Sequence, residues 1–129
     1  MIFLDSSYIK GLILKNDDYN HFSKRVKPYL KHETKVINTT VLVEVLNSIK
    51  QNNYDNDVNE LLSCLENLDV YDFLAMKDYE ESMKWFNYFG KTINFSDCTI
   101  VNSMIKHSIT RIVSFDSDFD KIGAFERIH

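Results

Sequence analysis

The chain begins with the stretch Ile2-Phe3-Leu4-Asp5-Ser6-Ser7, in which a short apolar run stops at an acid. An uninterrupted apolar run of this kind is typical of a strand buried on both faces, as in parallel sheets. The two serines are good helix N-caps, and apolar residues then recur at helical spacing from Tyr8 to Ile13. The stretch therefore predicts a β–α unit with Asp5 at the carboxyl end of its strand.

Strands and helices alternate along the rest of the chain. The pattern predicts four further strands, over residues 35–38, 70–73, 111–115 and 125–128. Thr39 or Thr40 is expected to cap the helix after the second strand, Ser96 to cap the helix before the fourth, and residues 52–57 to form a polar connector. The alternation predicts an α/β fold, a single domain over residues 1–129 with three α/β/α layers and a central, mainly parallel sheet.

Two helices carry apolar residues at helical spacing that predict their buried faces. On the first helix, which Gly90 ends, the predicted buried residues are Tyr79, Met83, Phe86 and Phe89. On the second helix they are Ile100, Val101, Met104 and Ile105. Core packing is the favoured role for the aromatic residues of the first helix, and a dimer surface is the alternative.

Length and composition narrow the class of protein. A chain of 129 residues has the usual size of one domain, and its 44% of hydrophobic residues is ordinary for a globular protein. Three glycines and one proline argue against a loop-rich all-β fold. The absence of Gly-rich runs excludes the phosphate-binding loop and the dinucleotide fingerprint.

The sequence shows no signal for export or membrane insertion. No basic segment precedes the apolar run of residues 2–4, and no stretch approaches the ~20 apolar residues of a membrane span. Cys64 and Cys98 form no metal-binding motif, so both are expected to be reduced, packed thiols. We therefore expect a cytoplasmic protein without a membrane partner.

The formal net charge of −4 counts against nucleic-acid binding, because nucleic-acid-binding domains are usually basic. The objection is partial, since two divalent ions at an acidic site would add four positive charges there. Residues 24–27, a basic segment, would supply local phosphate contacts, although a solvated helix face is the favoured interpretation.

Four acids form the candidate site. Asp5 and Asp116 each follow a predicted strand, and the carboxyl ends of parallel strands meet at one edge of the sheet, where ligands bind. Asp97 lies in the first turn of a helix, where the helix dipole favours a carboxylate even without a function. Glu44 lies among the apolar residues 41–46, where an acid is costly unless it is paired or bound to metal. An exposed acid on a half-buried helix is the alternative for Glu44.

Carboxylate oxygens without nearby Cys or His ligands favour Mg²⁺ or Mn²⁺ over zinc. Crowded carboxylates repel one another, and bound cations relieve that repulsion. The chemistry that such sites support is phosphoryl transfer, in which one ion lowers the pKa of a water and a second stabilises the leaving oxygen.

The motifs resemble those of PIN domains. The opening stretch is similar to the first PIN motif, and three further motifs follow in the family order, over residues 40–46, 93–98 and 112–120. Each motif is short and unspecific, but together the four span nearly the whole chain. The resemblance implies a central parallel sheet, cleavage of RNA with one or two Mg²⁺ or Mn²⁺ ions, and often a homodimer. Small stand-alone members resemble VapC toxins, whose activity an antitoxin blocks.

The resemblance also implies roles for particular residues. Asp5, Glu44, Asp97 and Asp116 become the catalytic metal ligands. Asp118 is an additional ligand for the second metal or a cap of the following turn. Ser114 supplies a hydroxyl that supports the acids, and Ser6 is a weaker candidate for the same role.

Three alternatives remain beside a toxin ribonuclease. The first is an RNA-processing PIN nuclease outside a toxin system, and the second is a catalytically silent binding module on the same fold. The third is a phosphatase with Asp5 as its nucleophile. The haloacid-dehalogenase-like enzymes carry a second Asp two residues after the first, whereas this chain has Ser7 there.

Overall fold

A computed structural model describes residues 1–50 and 54–129 of the chain. Residues 52 and 53 of the predicted connector lie outside the described residues. The helices are α1 (Ser6–Ile13), α2 (Asn20–Val26), α3 (Thr39–Ser48), α4 (Val58–Glu66), α5 (Met76–Tyr88) and α6 (Phe95–Lys106), and short 3₁₀ turns cover Lys27–Leu30 and Ser117–Lys121. The strands are β1 (Ile2–Leu4), β2 (Lys35–Asn38), β3 (Val70–Asp72), β4 (Arg111–Val113) and β5 (Glu126–Ile128).

The five strands form one parallel sheet in the order β3-β2-β1-β4-β5. β1 is central, and Phe3 aligns with Val36 on one side and with Ile112 on the other. All three of these side chains are fully buried. The expected α/β class with a central parallel sheet is therefore confirmed.

The helices cover both faces of the sheet. Connections between parallel strands of one sheet are almost always right-handed. The strand order therefore places α1–α4, which connect β1 to β2 and β2 to β3, on one face of the sheet. The chain returns from β3 to β4 on the other face, which places α5 and α6 there. The contacts agree, since α1 packs against α2 and α3, while α5 packs against α6. No helix within the described residues is long and apolar enough to cross a membrane.

The predicted helix caps are wrong by one or two residues. The N-cap positions are Asp5 for α1, Asn38 for α3 and Asn94 for α6, rather than the serines and threonines that follow them. At α1 and α3 the strand runs into the helix with at most one residue between them, so a residue at or next to the strand end takes the N-cap position. Asn38 also supplies a cap bond, because its Oδ1 accepts from the Val41 amide at 3.1 Å.

Some predicted buried positions are exposed. Met83 and Ile105 are almost half exposed, because α5 and α6 turn their small side chains toward the interior, including the fully buried Ser82. Phe73 lies beyond β3 and is exposed, and Cys64 is an exposed free thiol, whereas Cys98 is buried as expected.

Gly11 allows α2 to pack closely on α1. A Cβ built at Gly11 would collide with the hydroxyl of Ser23 on α2. That hydroxyl donates to the backbone oxygen of Tyr8 at 3.0 Å and is buried. The close approach fixes the start of α2 beside the end of β4, where Tyr19 stacks on Phe115.

Candidate functional site

Asp5 lies at the carboxyl end of β1 and is almost completely buried. Its Oδ2 accepts hydrogen bonds from the hydroxyls of Ser7 and Ser114, both at 2.7 Å. Its side chain makes no capping bond to α1, although Asp5 occupies the N-cap position. The carboxylate is therefore held in one orientation at the centre of the edge.

Two serines connect Asp5 to Asp116 across the sheet. The hydroxyl of Ser114 accepts from the Asp116 amide at 3.0 Å, and the hydroxyl of Ser7 accepts from the Phe115 amide at 3.0 Å. The sequence indicated Ser114 as a supporting hydroxyl but gave Ser7 only a capping role. A serine two residues after an acid at a strand end was the available signal for Ser7.

Glu44 reaches this edge from α3. Its Oε2 accepts from the Ser6 hydroxyl at 3.2 Å, while its Oε1 is buried without a hydrogen-bond partner. Burial raises the pKa of Glu44, and the negative charge of Asp5 raises it further. Glu44 is therefore half-buried beside Asp5, and the alternative of an exposed acid does not describe it. Ser6 contacts Glu44 rather than capping a helix.

Asp97 lies in the first turn of α6 and is 6% exposed. Its Oδ2 is buried without a hydrogen-bond partner. Burial raises the pKa of Asp97 to about 8, with further contributions from the charges of Asp116, Asp5, Glu44 and Asp118 in that order. Each of these four neighbours is thus close enough to repel the Asp97 carboxylate.

Asp116 and Asp118 complete the cluster from the turn after β4. Asp116 caps the 3₁₀ turn, since its Oδ1 accepts from the Asp118 amide at 2.9 Å. Asp97, Asp116 and Asp118 each offer one carboxylate oxygen, and the three oxygens all lie within 4.8 Å of one another. Two ligands on opposite sides of Mg²⁺ lie about 4.2 Å apart, so small side-chain movements would bring the three oxygens onto one cation. Asp118 also pairs with Lys121 at 2.7 Å.

The structure thus brings together every acid that the sequence indicated, but not equally. Asp97, Asp116 and Asp118 form the tightest group, whereas Asp5 and Glu44 border it. The donor set is all oxygen, and two buried carboxylate oxygens lack a partner, on Asp97 and Glu44. These features fit a hard divalent cation. The roles of the acids as metal ligands stay a prediction.

An open recess of about 300 Å³ adjoins Glu44. Its lining comes from α3, α5 and the start of α6, and consists of Thr39, Thr40, Val43, Glu44, Tyr79, Phe95, Ser96 and Thr99. Thr40 on α3 and Thr99 on α6 are joined by a hydrogen bond between their hydroxyls, with the oxygens 2.6 Å apart. The acids therefore lie beside an open surface that a large substrate can reach.

Solved structures with the same fold come from several bacteria. VapC20 of Mycobacterium tuberculosis, described as a sarcin–ricin loop cleaving toxin, superposes with a TM-score of 0.81 at 21% identity, covering 95% of each chain. FitAcB from Neisseria gonorrhoeae gives a TM-score of 0.69 at 16% identity, covering 100% of this chain and 97% of that one. VapBC2 from Rickettsia felis, described as bound to a DNA fragment from their promoter, gives 0.66 at 17% identity, covering 99% and 98%.

The sequence matches a family model but no individual curated protein. A search of curated proteins finds no significant match to the chain. The family model of the PIN domain, however, matches residues 2–124, which is nearly the whole sequence. Together with the five-stranded parallel sheet, this match shows that the chain belongs to the PIN domain family.

Proposed function

We propose that the protein is an endoribonuclease that depends on Mg²⁺ or Mn²⁺ and hydrolyses RNA phosphodiester bonds. The observation that carries the proposal is the buried Oδ2 of Asp97, which lacks a hydrogen-bond partner in a group of mutually repelling acids. A buried carboxylate is stable only when it is paired, protonated or bound to a cation. We assign Asp5, Glu44, Asp97 and Asp116 as ligands of one or two ions, with Asp118 as an additional ligand.

The bound ions would activate a water and stabilise the charge of the phosphate. The chain's own residues position the acids for this task. Ser7 and Ser114 hold Oδ2 of Asp5, and Ser6 holds Oε2 of Glu44, so both carboxylates are oriented before a cation binds. This preorganisation lowers the cost of assembling a site from like charges. The expected products carry a 5′ phosphate and a 3′ hydroxyl, as the family resemblance implies.

The biological setting of the proposal is a toxin–antitoxin pair in the cytoplasm. The support is the likeness to VapC20, to VapBC2 and to FitAB, the last described as bound to the IR36 DNA fragment. An antitoxin would then be the protein partner. We also propose that residues 1–129 form a single domain and that two copies pair as a homodimer.

A surface on α5 and α6 supports the homodimer. It is a groove of about 410 Å³ lined by Glu81, Lys84, Trp85, Tyr88, Asn102 and Ile105. Asn102 is buried, and its Nδ2 has no hydrogen-bond partner among the described residues. A two-fold dimer brings the same patch of both copies together, and this patch carries Glu81, Lys84 and the Asn102 amide, which are able to pair with their counterparts. Sedimentation of Tyr88→Ala beside the wild-type chain tests the interface, and an unchanged mass would contradict it.

The direct test of the nuclease is cleavage of labelled RNA with Mg²⁺ or Mn²⁺. We expect cleavage that EDTA abolishes, and a loss of at least about 100-fold in Asp5→Asn and in Asp97→Asn. The matched control is Asp55→Asn, which removes an exposed carboxylate outside the cluster. Full cleavage by both site variants would refute the assignment. No cleavage by the wild-type chain would instead favour the silent binding module.

A further inference from the structure

A second recess lies beside the acids, on the side of β5. We call it the aromatic recess, and its lining consists of Tyr19, Phe22, Arg25, Phe115, Arg127 and His129. Its volume is about 190 Å³, below the ~300–1,000 Å³ of sites for drug-sized ligands. It is therefore suited to one planar ring rather than to a whole small-molecule cofactor.

The aromatic recess is joined directly to the acid cluster through the backbone. Phe115 immediately precedes Asp116, whose backbone is extended with φ −87° and ψ 114°. Successive side chains of an extended chain point to opposite sides, so the two residues face different neighbours. Asp116 faces Asp97, and Phe115 faces Tyr19 on the approach to α2. The recess and the acids are therefore neighbours along one backbone segment.

The rings of the recess are partly covered by one another and by Arg25, which lies over the Phe22 ring, but they remain accessible to solvent. Tyr19 stacks on Phe115 with a centroid distance of 4.5 Å and an interplanar angle of 4°. Phe22 packs at a tilt against Phe115, with the centroids 6.2 Å apart. Tyr19 and Phe22 nevertheless stay about 40% exposed. Exposed aromatic faces of this kind are stacking platforms for unpaired bases.

Two arginines provide positive charge at the recess. The guanidinium of Arg25 lies 5.1 Å from the centroid of the Phe22 ring, and Arg25 makes no ion pair with any described residue. Arg127 is fixed, because it donates to Asp120 at 2.8 Å and to the Ser114 carbonyl at 3.2 Å. The recess beside Glu44 has no Lys, Arg or His in its lining. The cationic flank of the site is therefore the β5 flank.

We propose that the aromatic recess binds the nucleotide next to the scissile phosphate of single-stranded RNA, with its base against Phe22 and Tyr19 and its phosphate on Arg25. The inference rests on the proposed nuclease function, and it names the form of the substrate. A polyanion is repelled by the acids wherever no cation compensates, so an unpaired arginine beside stacking rings provides the missing affinity. Because every base has a stacking face, binding is tolerant of sequence.

The test is fluorescence anisotropy with a labelled oligouridylate of about 12 nucleotides, a length within the range of such sites, with Ca²⁺ in place of Mg²⁺. We expect Phe22→Ala to weaken binding about 5- to 100-fold, with Phe22→Trp restoring it. Arg25→Ala should weaken binding and also reduce the slope of log affinity against log salt by about 0.7, the loss of one phosphate contact. Phe22→Ala should leave the slope unchanged.

The matched control lies at the opposite edge of the sheet. Tyr29→Ala with Lys31→Ala removes an exposed ring and one positive charge from the turn before β2. Wild-type affinity in this control supports the proposal, and an equal loss in control and recess variants overturns it. Unchanged RNA affinity in Phe22→Ala and Arg25→Ala also overturns it.

Cleavage of the same oligonucleotide in Mg²⁺ separates the two proposals. Binding that depends on Phe22 and Arg25 without any cleavage by the wild-type chain refutes the nuclease but keeps the recess as an RNA site. Cleavage with an unchanged KM in both variants refutes the recess and keeps the nuclease.

Discussion

Two groups of acids lie at the carboxyl edge of the sheet, and they differ in the charge that faces them. At the end of β3, Lys106 donates to Asp72 at 2.8 Å and to Asp78 at 2.9 Å. Burial alone would raise the pKa of Asp78, but the hydrogen bonds from Lys106 and from the Ala75 amide lower it. We call this group the paired cluster.

The group around Asp97 has the opposite electrostatics. Burial raises the pKa of Asp97 to about 8, and every neighbouring charge that contributes further is another acid. Lys121 pairs with Asp118 at the rim, and Lys10 lowers the pKa of Glu44 by less than burial and the charge of Asp5 raise it. The chain therefore neutralises Asp72 and Asp78 with its own lysine, whereas the strongest charges that act on Asp97 are all negative. We propose that a cation from solution takes the role there that Lys106 has at β3.

The largest effect is expected from breaking the paired cluster. Lys106→Met leaves Asp72 and Asp78 without their lysine, although the buried Asp72 keeps His107, whose Nε2 lies 3.6 Å from its Oδ2. We expect a loss of about 1–3 kcal/mol in unfolding free energy, less than for a fully buried pair because Lys106 is one-third exposed. Urea unfolding measures it, with Lys15→Met as the control for an exposed lysine. Wild-type stability would contradict the comparison.

The second prediction is a gain in the free energy of unfolding rather than a loss. Because the pKa of Asp97 is raised when the chain folds, its contribution to stability is present below about pH 4 and is lost as the pH rises through about 8. In EDTA at pH 8, Asp97→Asn should therefore be more stable than the wild-type chain by about 1–2 kcal/mol. The melting temperature from pH 5 to pH 8 measures this, with Asp55→Asn as the control. A less stable Asp97→Asn at pH 8 would refute the raised pKa.

The smallest effect concerns the serines that hold Asp5. Ser7→Ala should lower kcat about tenfold, because Ser114 still donates to the same oxygen. The double variant with Ser114→Ala should lose more than the product of the two single losses, since each serine compensates for the other. Strictly multiplicative losses would show that the two hydroxyls act independently. Single-turnover RNA cleavage measures all three variants.

Much of the site could be predicted from the sequence, because parallel strands end at one edge. Asp5 and Asp116 follow apolar runs, so their proximity depends only on the sheet order. The sequence indicated Asp118 only as an extra acid beside the fourth motif, because its closeness to Asp97 depends on how the 3₁₀ turn at Ser117–Lys121 bends back toward α6.

The helix caps and the exposed faces of the helices could not be predicted from the sequence in this way. Propensity favours Ser96 as a cap, yet Asn94 takes the N-cap position and the helix begins at Phe95, two residues earlier than a Ser96 cap would allow. The exposure of Met83 follows from how α5 rotates against α6, and spacing alone does not fix that rotation. The stacking of Tyr19 on Phe115 likewise joins residues far apart in sequence, and no local pattern indicates it.

The most direct measurement is the anomalous scattering of a crystal soaked in Mn²⁺ at pH 8. The account predicts a strong peak among the carboxylates of Asp97, Asp116 and Asp118, with oxygen distances near 2.1–2.2 Å, about those of a small divalent ion. No such peak should occur at Asp72 and Asp78, where Lys106 already provides the charge. No manganese peak among these three carboxylates at pH 8, or manganese bound only at other positions, would contradict the account.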